Sequence, residues 1–367
     1  MEYTQERVAT LHDLTDARPD APTGRAAVVV PMTDREYAGL AAEGVLSTLE
    51  RVDPGRVVVP LRAPRERVPA FADWLEDFDL DLEVCWCSGP AVAETLDDAG
   101  LSAPPGKGRD VWLALGVAAA ESEYVVLHDA DTKTFTEADV PRLLFPLDRG
   151  YDFAKGYYAR VENDRLYGRL FRLFYVPLVR ALGDTHDTSV LDYLAAFRYA
   201  LAGEFAMTAD LASRLRAPPH WGLEVGTLGD AFAHAGFAGS AQVDLGRYEH
   251  DHRAVSGPTG LSEMSRGVAE TLFHVLADHG VTPDFDALPA RYRETARDYV
   301  RQYAADAAFN GLTYDADAER DQVETYAGAI APPGDDPRLP AWVDAPLDPA
   351  TVRQAARDDL ADARGEG

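Results

Sequence analysis

Short apolar runs alternate, from residue 26 onward, with stretches whose apolar residues return every three or four positions. Residues 26–31, 57–60, 82–86 and 124–128 read as strands, and 37–49, 68–78, 91–98 and 109–120 between and after them read as helices. Such β-α repetition predicts an α/β fold, a mainly parallel sheet flanked by helices, with ligands gathered at the carboxyl ends of the strands. The second half is more mixed. Residues 164–182 predict an amphipathic helix or a helix pair around Pro177, and 241–246 another short strand. Beyond Leu261 the pattern is helical over 261–279, 290–309 and 317–330, and a Pro/Asp-rich linker, 331–349, leads to a last helix near 350–363.

Composition narrows the class. The chain has 367 residues, 46% of them hydrophobic, enough for a sizeable core, yet its longest apolar runs fall far short of a membrane span. Residues 1–20 carry acids and lack the apolar centre of a secretory signal, so a soluble cytoplasmic protein is expected. Asp and Glu number 62 against 35 Lys and Arg, a formal net charge of −27. Lys107, Lys133 and Lys155 are the only lysines. Self-repulsion of that size is screened in concentrated salt, and the pattern resembles proteins of salt-loving cells. No basic stripe exists to neutralise nucleic-acid phosphates, which excludes that class of partner. Cys85 and Cys87 share one face of a strand and read better as buried thiols than as a redox or metal pair, since two ligands do not make a site.

The chemistry-bearing residues cluster at element ends. The run Tyr124–Leu127 leads into His128-Asp129-Ala130-Asp131, where two aspartates one residue apart can share a hard divalent cation. Alone, such a pair equally caps a turn. Upstream, Gly106-Lys107-Gly108 opens a predicted helix. Its glycines would let the backbone approach a ligand, and the helix N-terminus would favour an anion. A solvated loop lysine is the plain alternative. The first strand closes on Pro31-Met32-Thr33-Asp34-Arg35-Glu36, either a wrap around a base and ribose or a helix start capped by Thr33 or Asp34. Glu224 stands near a helix entrance, able to bond sugar hydroxyls or to act as a capping acid. Glu249-His250-Asp251-His252 follows a strand, and His250 or His252 can complete a metal site begun by Asp131; surface histidines in acidic company are the alternative. Two carboxylates and one imidazole suit Mn²⁺ or Mg²⁺ better than Zn²⁺.

In this order the motifs resemble those of glycosyltransferase family 81, the glucosyl- and mannosyl-3-phosphoglycerate synthases. The resemblance runs over about two thirds of the chain. It rests on Pro31 to Glu36, Gly106 to Trp112, Asp129-Ala130-Asp131, Gly168-Arg169 through Pro177-Leu178, Leu201-Ala202-Gly203-Glu204-Phe205, Gly222-Leu223-Glu224-Val225-Gly226 and Glu249-His250. It implies a GT-A fold with a helical C-terminal extension and a retaining, metal-dependent hexosyl transfer to an anionic small acceptor, D-3-phosphoglycerate. The implied donor is UDP-glucose, with GDP-mannose the alternative. It implies that Pro31, Asp34, Glu36, Lys107 and Asp129 contact the donor nucleotide and that Asp131 and His250, with Asp129 in support, hold Mg²⁺ or Mn²⁺. Glu224 lies beside the sugar and Arg169 takes the acceptor's phosphate or carboxylate. The chain then divides into an extension (1–25), a donor half (26–131), an acceptor half (132–257) and a helical region (258–367) in which a homodimer contact is a candidate role.

Two positions depart from the family pattern, Phe171 for a threonine and His252 for an asparagine, both on the acceptor side. A different acceptor therefore stays open. A sugar-phosphate nucleotidyltransferase is disfavoured because no Gly-rich arginine loop follows the first strand. A non-catalytic nucleotide-sugar binder would bind donor without turnover.

Overall fold

The computed structural model describes residues 5–251 and 258–365. The strands are β1 (Ala9–Leu11), β2 (Ala26–Val29), β3 (Met32–Thr33), β4 (Arg56–Arg62), β5 (Leu82–Trp86), β6 (Tyr124–Leu127), β7 (Phe153–Ala159), β8 (Val161–Glu162), β9 (Arg165–Leu166), β10 (Phe205–Thr208) and β11 (Ser240–Arg247). Nine of them form one sheet in the order β1-β11-β7-β10-β6-β2-β4-β3, with β5 also on β4, while β8 and β9 make a small hairpin. Every pairing in the large sheet is parallel except those of β10, which runs antiparallel to both β6 and β7. β2 is buried along its whole length, so it reads as a continuous apolar run rather than an alternation.

The helices are α1 (Leu40–Val52), α2 (Val68–Glu76), α3 (Pro90–Asp98), α4 (Lys107–Ala119), α5 (Asp139–Asp148), α6 (Val176–Gly183), α7 (Ser189–Ala195), α8 (Ala209–Ala212), α9 (Leu223–His234), α10 (Pro258–Asp278), α11 (Leu288–Phe309), α12 (Ala316–Ala327) and α13 (Pro349–Arg364). This is the α/β architecture expected, with the helical extension after β11. Its element ends move for identifiable reasons. α1 starts at Leu40 because Ala38 is left-handed (φ 49°) and Gly39 is the extended cap, so neither Thr33 nor Asp34 caps it. Tyr37 instead packs beside Phe71 and Trp74 of α2.

The amphipathic helix or helix pair expected over 164–182 forms only in its later part. Arg165 and Leu166 pair as β9, Gly168 turns the chain at φ +76°, and a π-helical turn (Leu170–Tyr175) then runs into α6. Pro177, which has no N–H to give, sits in the first turn of α6, where the loss is tolerated.

β1, β7, β10 and the β8-β9 hairpin went unread in the sequence. β7 hides because Lys155 and Gly156 interrupt its apolar run. Lys155 is nonetheless buried, its Nζ donating to the Ala202 carbonyl at 2.6 Å and lying over the Phe205 ring. The thiols of Cys85 and Cys87 are buried, as the core reading expects.

The C-terminal region returns to the first half of the sheet. Asp359 of α13, 3% exposed, accepts from the Ala91 and Val92 amides at 2.9 and 3.0 Å and so caps α3. Trp342 stacks on Trp112 of α4 with ring centroids 4.1 Å apart. Each indole N–H finds a carbonyl at 2.8 Å: Trp112 donates to Pro340 and Trp342 to Trp112. Gly116 leaves the space, since a Cβ there would collide with the Trp342 ring. Trp342→Ala is expected to destabilise the protein by about 3 kcal/mol, from lost burial, lost stacking and the lost hydrogen bond to the Trp112 carbonyl. Urea unfolding monitored by circular dichroism checks it; a change under about 1 kcal/mol would mean the stack is dispensable.

Candidate active site

β6 delivers the acidic pair to the carboxyl edge of the sheet. His128 is fully buried, and its Nδ1 lies 2.9 Å from the Asp129 carbonyl while its Nε2 lies 2.8 Å from the Tyr248 hydroxyl. A carbonyl only accepts, so Nδ1 carries the proton and Tyr248 donates to Nε2. Burial holds His128 below the usual imidazole range and keeps it neutral. Thr132 in turn donates to the Tyr248 oxygen at 3.0 Å.

The segment after β11 pairs with the segment after Asp131. The Asp251 amide donates to the Asp131 carbonyl at 2.7 Å, and that of Lys133 to the Glu249 carbonyl at 2.8 Å. This brings His250 to the acidic pair: one ligand atom each from Asp129, Asp131 and His250 lies within 4.8 Å of the others. Burial first, then the charge of Asp129, pushes the Asp131 carboxyl up to about 7. Two crowded carboxylates and an imidazole are a donor set that a divalent cation would relieve.

Lys107, at the first position of α4, donates to Asp129 Oδ1 at 2.6 Å and lies 4.0 Å from Glu224. Burial opposes its charge, but Asp129 and Glu224 outweigh burial and hold it above the usual lysine range. The same lysine holds Asp129 below the usual carboxylate range against the cost of burial. The flanking glycines have a packing role. A Cβ on Gly106 would strike His220 and the Pro219 carbonyl, and one on Gly108 the Pro218 carbonyl. They allow α4 to dock on residues 218–220, and the Arg109 amide donates to Pro219 at 3.0 Å. Glu224 lies in the first turn of α9, behind Gly222 in the left-handed region (φ +101°). Glu36 accepts from the Thr33 amide at 2.6 Å and the Thr33 hydroxyl at 2.7 Å, closing the turn after β2.

A cleft of about 410 Å³ joins these groups, lined among others by Pro31, Thr33, Glu36, Arg62, Lys107, Asp129, Asp131, Arg160, Leu170, Trp221, Glu224 and His250.

No protein-family model matches the chain. It is 34% identical to the glucosyl-3-phosphoglycerate synthase of Methanococcoides burtonii, with 93% of each chain covered. It is 35% identical to the enzyme of that name from Persephonella marina, over 86% of this chain and 85% of the relative. The chain belongs to the glucosyl-3-phosphoglycerate synthase family. It is thus a glycosyltransferase, as its motifs imply. Its fold is similar to glucosyl-3-phosphoglycerate synthase of Mycobacterium tuberculosis solved with Mn²⁺, UDP-glucose and phosphoglyceric acid: 25% identity, TM-score 0.56, 76% of this chain and 89% of that one. The Mycobacterium tuberculosis enzyme with Mg²⁺ and UDP gives 25% identity and the same TM-score over 76% and 88%. The mainly parallel, helix-flanked sheet is the GT-A fold of these synthases.

Of the residues singled out in the sequence, the structure gathers Pro31, Glu36, Lys107, Asp129, Asp131, Glu224 and His250 around one cleft. Asp34 does not line it; its amide donates to the Arg62 carbonyl at 3.2 Å. Arg169 does not line it either, and its Nε donates to Glu319 of α12 at 2.9 Å. Phe171 is buried against Tyr199, with ring centroids 4.6 Å apart. His252 falls outside the described residues. Arg62, Asp110 and Arg160 line the cleft without having been singled out. Glu204 is fully buried, and burial followed by the Asp129 charge pushes it up to about 7. Its signal was a glutamate set in an otherwise apolar run beside Gly203. Asp131→Ala is expected to weaken Mn²⁺ binding at least about 100-fold, since the loss of an outer partner alone commonly weakens a metal site 10–100-fold. Titration calorimetry of Mn²⁺ with UDP present measures it; unchanged affinity would remove Asp131 from the site.

Proposed function

We propose that this protein transfers glucose from UDP-glucose to D-3-phosphoglycerate, with retention at the anomeric carbon and with Mn²⁺ or Mg²⁺ as cofactor. The observation that carries the reading is the cluster of Asp129, Asp131 and His250 within 4.8 Å, set in the cleft that Pro31, Glu36 and Glu224 also line. In this reading residues 26–131 hold the donor and 132–257 the acceptor. Asp131 and His250, with Asp129, hold the divalent cation, which when bound offsets charge on the departing nucleoside diphosphate. The turn from Pro31 to Glu36 and the adjoining wall take the nucleotide. Lys107 keeps Asp129 ionised, and Glu224 accepts from the sugar hydroxyls. The acceptor hydroxyl then attacks from the face the diphosphate leaves, so catalysis consists of positioning and electrostatic stabilisation.

The test is an assay in about 2 M KCl, where self-repulsion is screened. UDP-glucose, GDP-glucose and GDP-mannose are each supplied with and without D-3-phosphoglycerate, and released nucleoside diphosphate is read. UDP release that requires both phosphoglycerate and Mn²⁺ or Mg²⁺ is expected. Release without dependence on phosphoglycerate would move the acceptor elsewhere, and release of pyrophosphate would point to nucleotidyl transfer. Glu224→Gln is expected to lower kcat on the order of 100-fold with a smaller effect on UDP binding.

The same reading places the enzyme in the cytoplasm of a salt-adapted cell. Its support is the net charge of −27 and the near-replacement of lysine by arginine; among the described residues no helix is long and apolar enough to cross a membrane. Raising KCl from about 0.1 M to about 2 M is expected to raise Tm by at least about 5 °C, as screening relieves the repulsion. Calorimetric scans check it, and a flat or falling Tm would remove the salt-adapted reading.

A further inference from the structure

β10 enters the sheet antiparallel between β6 and β7, with Phe205 opposite Leu127 on one side and Lys155 on the other. Two residues back along the chain from Phe205 and two on from Leu127, the same register brings Gly203 to Asp129. The approach is close: a Cβ on Gly203 would lie 2.6 Å from Asp129 Oδ2. The Asp129 carboxylate is thus confined between Lys107, which donates to its Oδ1 at 2.6 Å, and the bare backbone of Gly203. In the same turn Leu201 lines the cleft.

The grip on this turn comes from β7. The Gly156 amide donates to the Glu204 carbonyl at 2.9 Å, a backbone rung just outside β10. One residue earlier, the Lys155 side chain reaches the Ala202 carbonyl at 2.6 Å. Consecutive residues of β7 therefore hold the carbonyls on either side of Gly203, one through the backbone and one through an ammonium. Ala202 is buried, and its carbonyl would be costly to leave without a donor.

A buried ammonium is itself a costly way to make that bond. Lys155 is 1% exposed, in a chain with three lysines, and its Nζ lies 5.1 Å from the Phe205 ring centroid. Burial lowers it to about 8; Lys107 acts in the same direction, while Glu224, Glu204 and Asp129 oppose. An apolar side chain would pack within the strand without that cost. The groups acting on Lys155 belong to α4, α9 and the turns beside β6 and β10, so the ammonium sits where the elements that carry the site converge.

We propose that Lys155 is a positioning residue for sugar transfer: by holding the Ala202 carbonyl it sets Gly203 against Asp129 and Leu201 in the cleft wall. The inference rests on the transfer reading above and adds a side chain from outside the cleft. Lys155→Met, which keeps the length but removes the donor and the charge, is compared with the unaltered enzyme in about 2 M KCl. Gly203→Ala and the double variant are run beside it. Turnover of UDP-glucose with D-3-phosphoglycerate gives kcat, calorimetry gives Mn²⁺ affinity with UDP present, and circular dichroism checks that each variant is folded.

Lys155→Met is expected to lower kcat on the order of 10- to 100-fold, the effect of a displacement of about 1 Å close to the reacting groups. Mn²⁺ affinity should stay within about 5-fold of the unaltered enzyme, since Asp131 and His250 keep their own partners. Gly203→Ala leaves Lys155 in place and presses on the same joint from the other end, so its kcat should fall comparably. In the double variant the two losses should not multiply, because both act through one turn. An unchanged kcat in either folded single variant would overturn the assignment, and so would losses that multiply in the double. A loss of Mn²⁺ affinity in Lys155→Met as large as its loss of kcat would overturn it too, by placing the effect on the metal site as a whole. Should Lys155→Met not fold, Lys155→Arg, whose longer fork displaces the Ala202 carbonyl, replaces it in the cycle with the same outcomes. If the unaltered enzyme fails to glucosylate phosphoglycerate, this inference and the proposed function fall together. If it does so and the single variants match it, only this inference falls.

Discussion

Lys107 and Asp129 meet at 2.6 Å across the junction between α4 and the carboxyl end of β6. The pair joins a helix start to the acidic turn and sits among Glu224, Glu204 and Asp131, whose charges all act on it or its neighbours. A single compact cation keeps one of these carboxylates ionised while burial and mutual repulsion push two others toward neutral pH. The site is therefore electrostatically incomplete by itself, as a place for a divalent ion should be. Lysine is nearly absent from the sequence, and two of the three lysines lie buried or half-buried beside this cluster. Arginine has taken the surface roles, in ion pairs such as Arg293 with Glu324 and Arg214 with Asp210.

Close packing underwrites this electrostatics. Gly106 and Gly108 let α4 lie against residues 218–220, which fixes the distance between Lys107 and the start of α9. On the other side the Tyr158, Tyr248 and His128 chain of stacking and hydrogen bonds anchors the segments that carry Asp131 and His250. The position of Lys107 thus depends on backbone contact without side chains, and that of Asp131 and His250 on a buried aromatic ladder.

The parallel half of the sheet was legible because its strands are continuous apolar runs separated by helical periodicity, and the acidic pair because it ends such a run. β7 was not, since Lys155 and Gly156 break the apolar pattern and the burial of Lys155 is decided by tertiary partners, the Ala202 carbonyl and the Phe205 ring. The same limit applied to the site. Asp131, His250, Lys107 and Glu224 are recognisable from short motifs, whereas Arg160 and Arg62 become visible only once strand order brings distant segments to one cleft. Arg169 shows the converse: a motif residue whose partner, Glu319, lies 150 positions away and cannot be read locally.

The bond from Asp359 to the amides of Ala91 and Val92 spans some 268 residues of chain, and the stack of Trp342 on Trp112 some 230. During synthesis α3 and α4 emerge from the ribosome long before their covers exist. The face at Gly116 and the uncapped start of α3 lack these partners until Trp342 and α13 are made. The half of the molecule that is translated first is thus the half that is finished last, so a prematurely terminated chain would carry the whole acidic turn on an unsealed sheet.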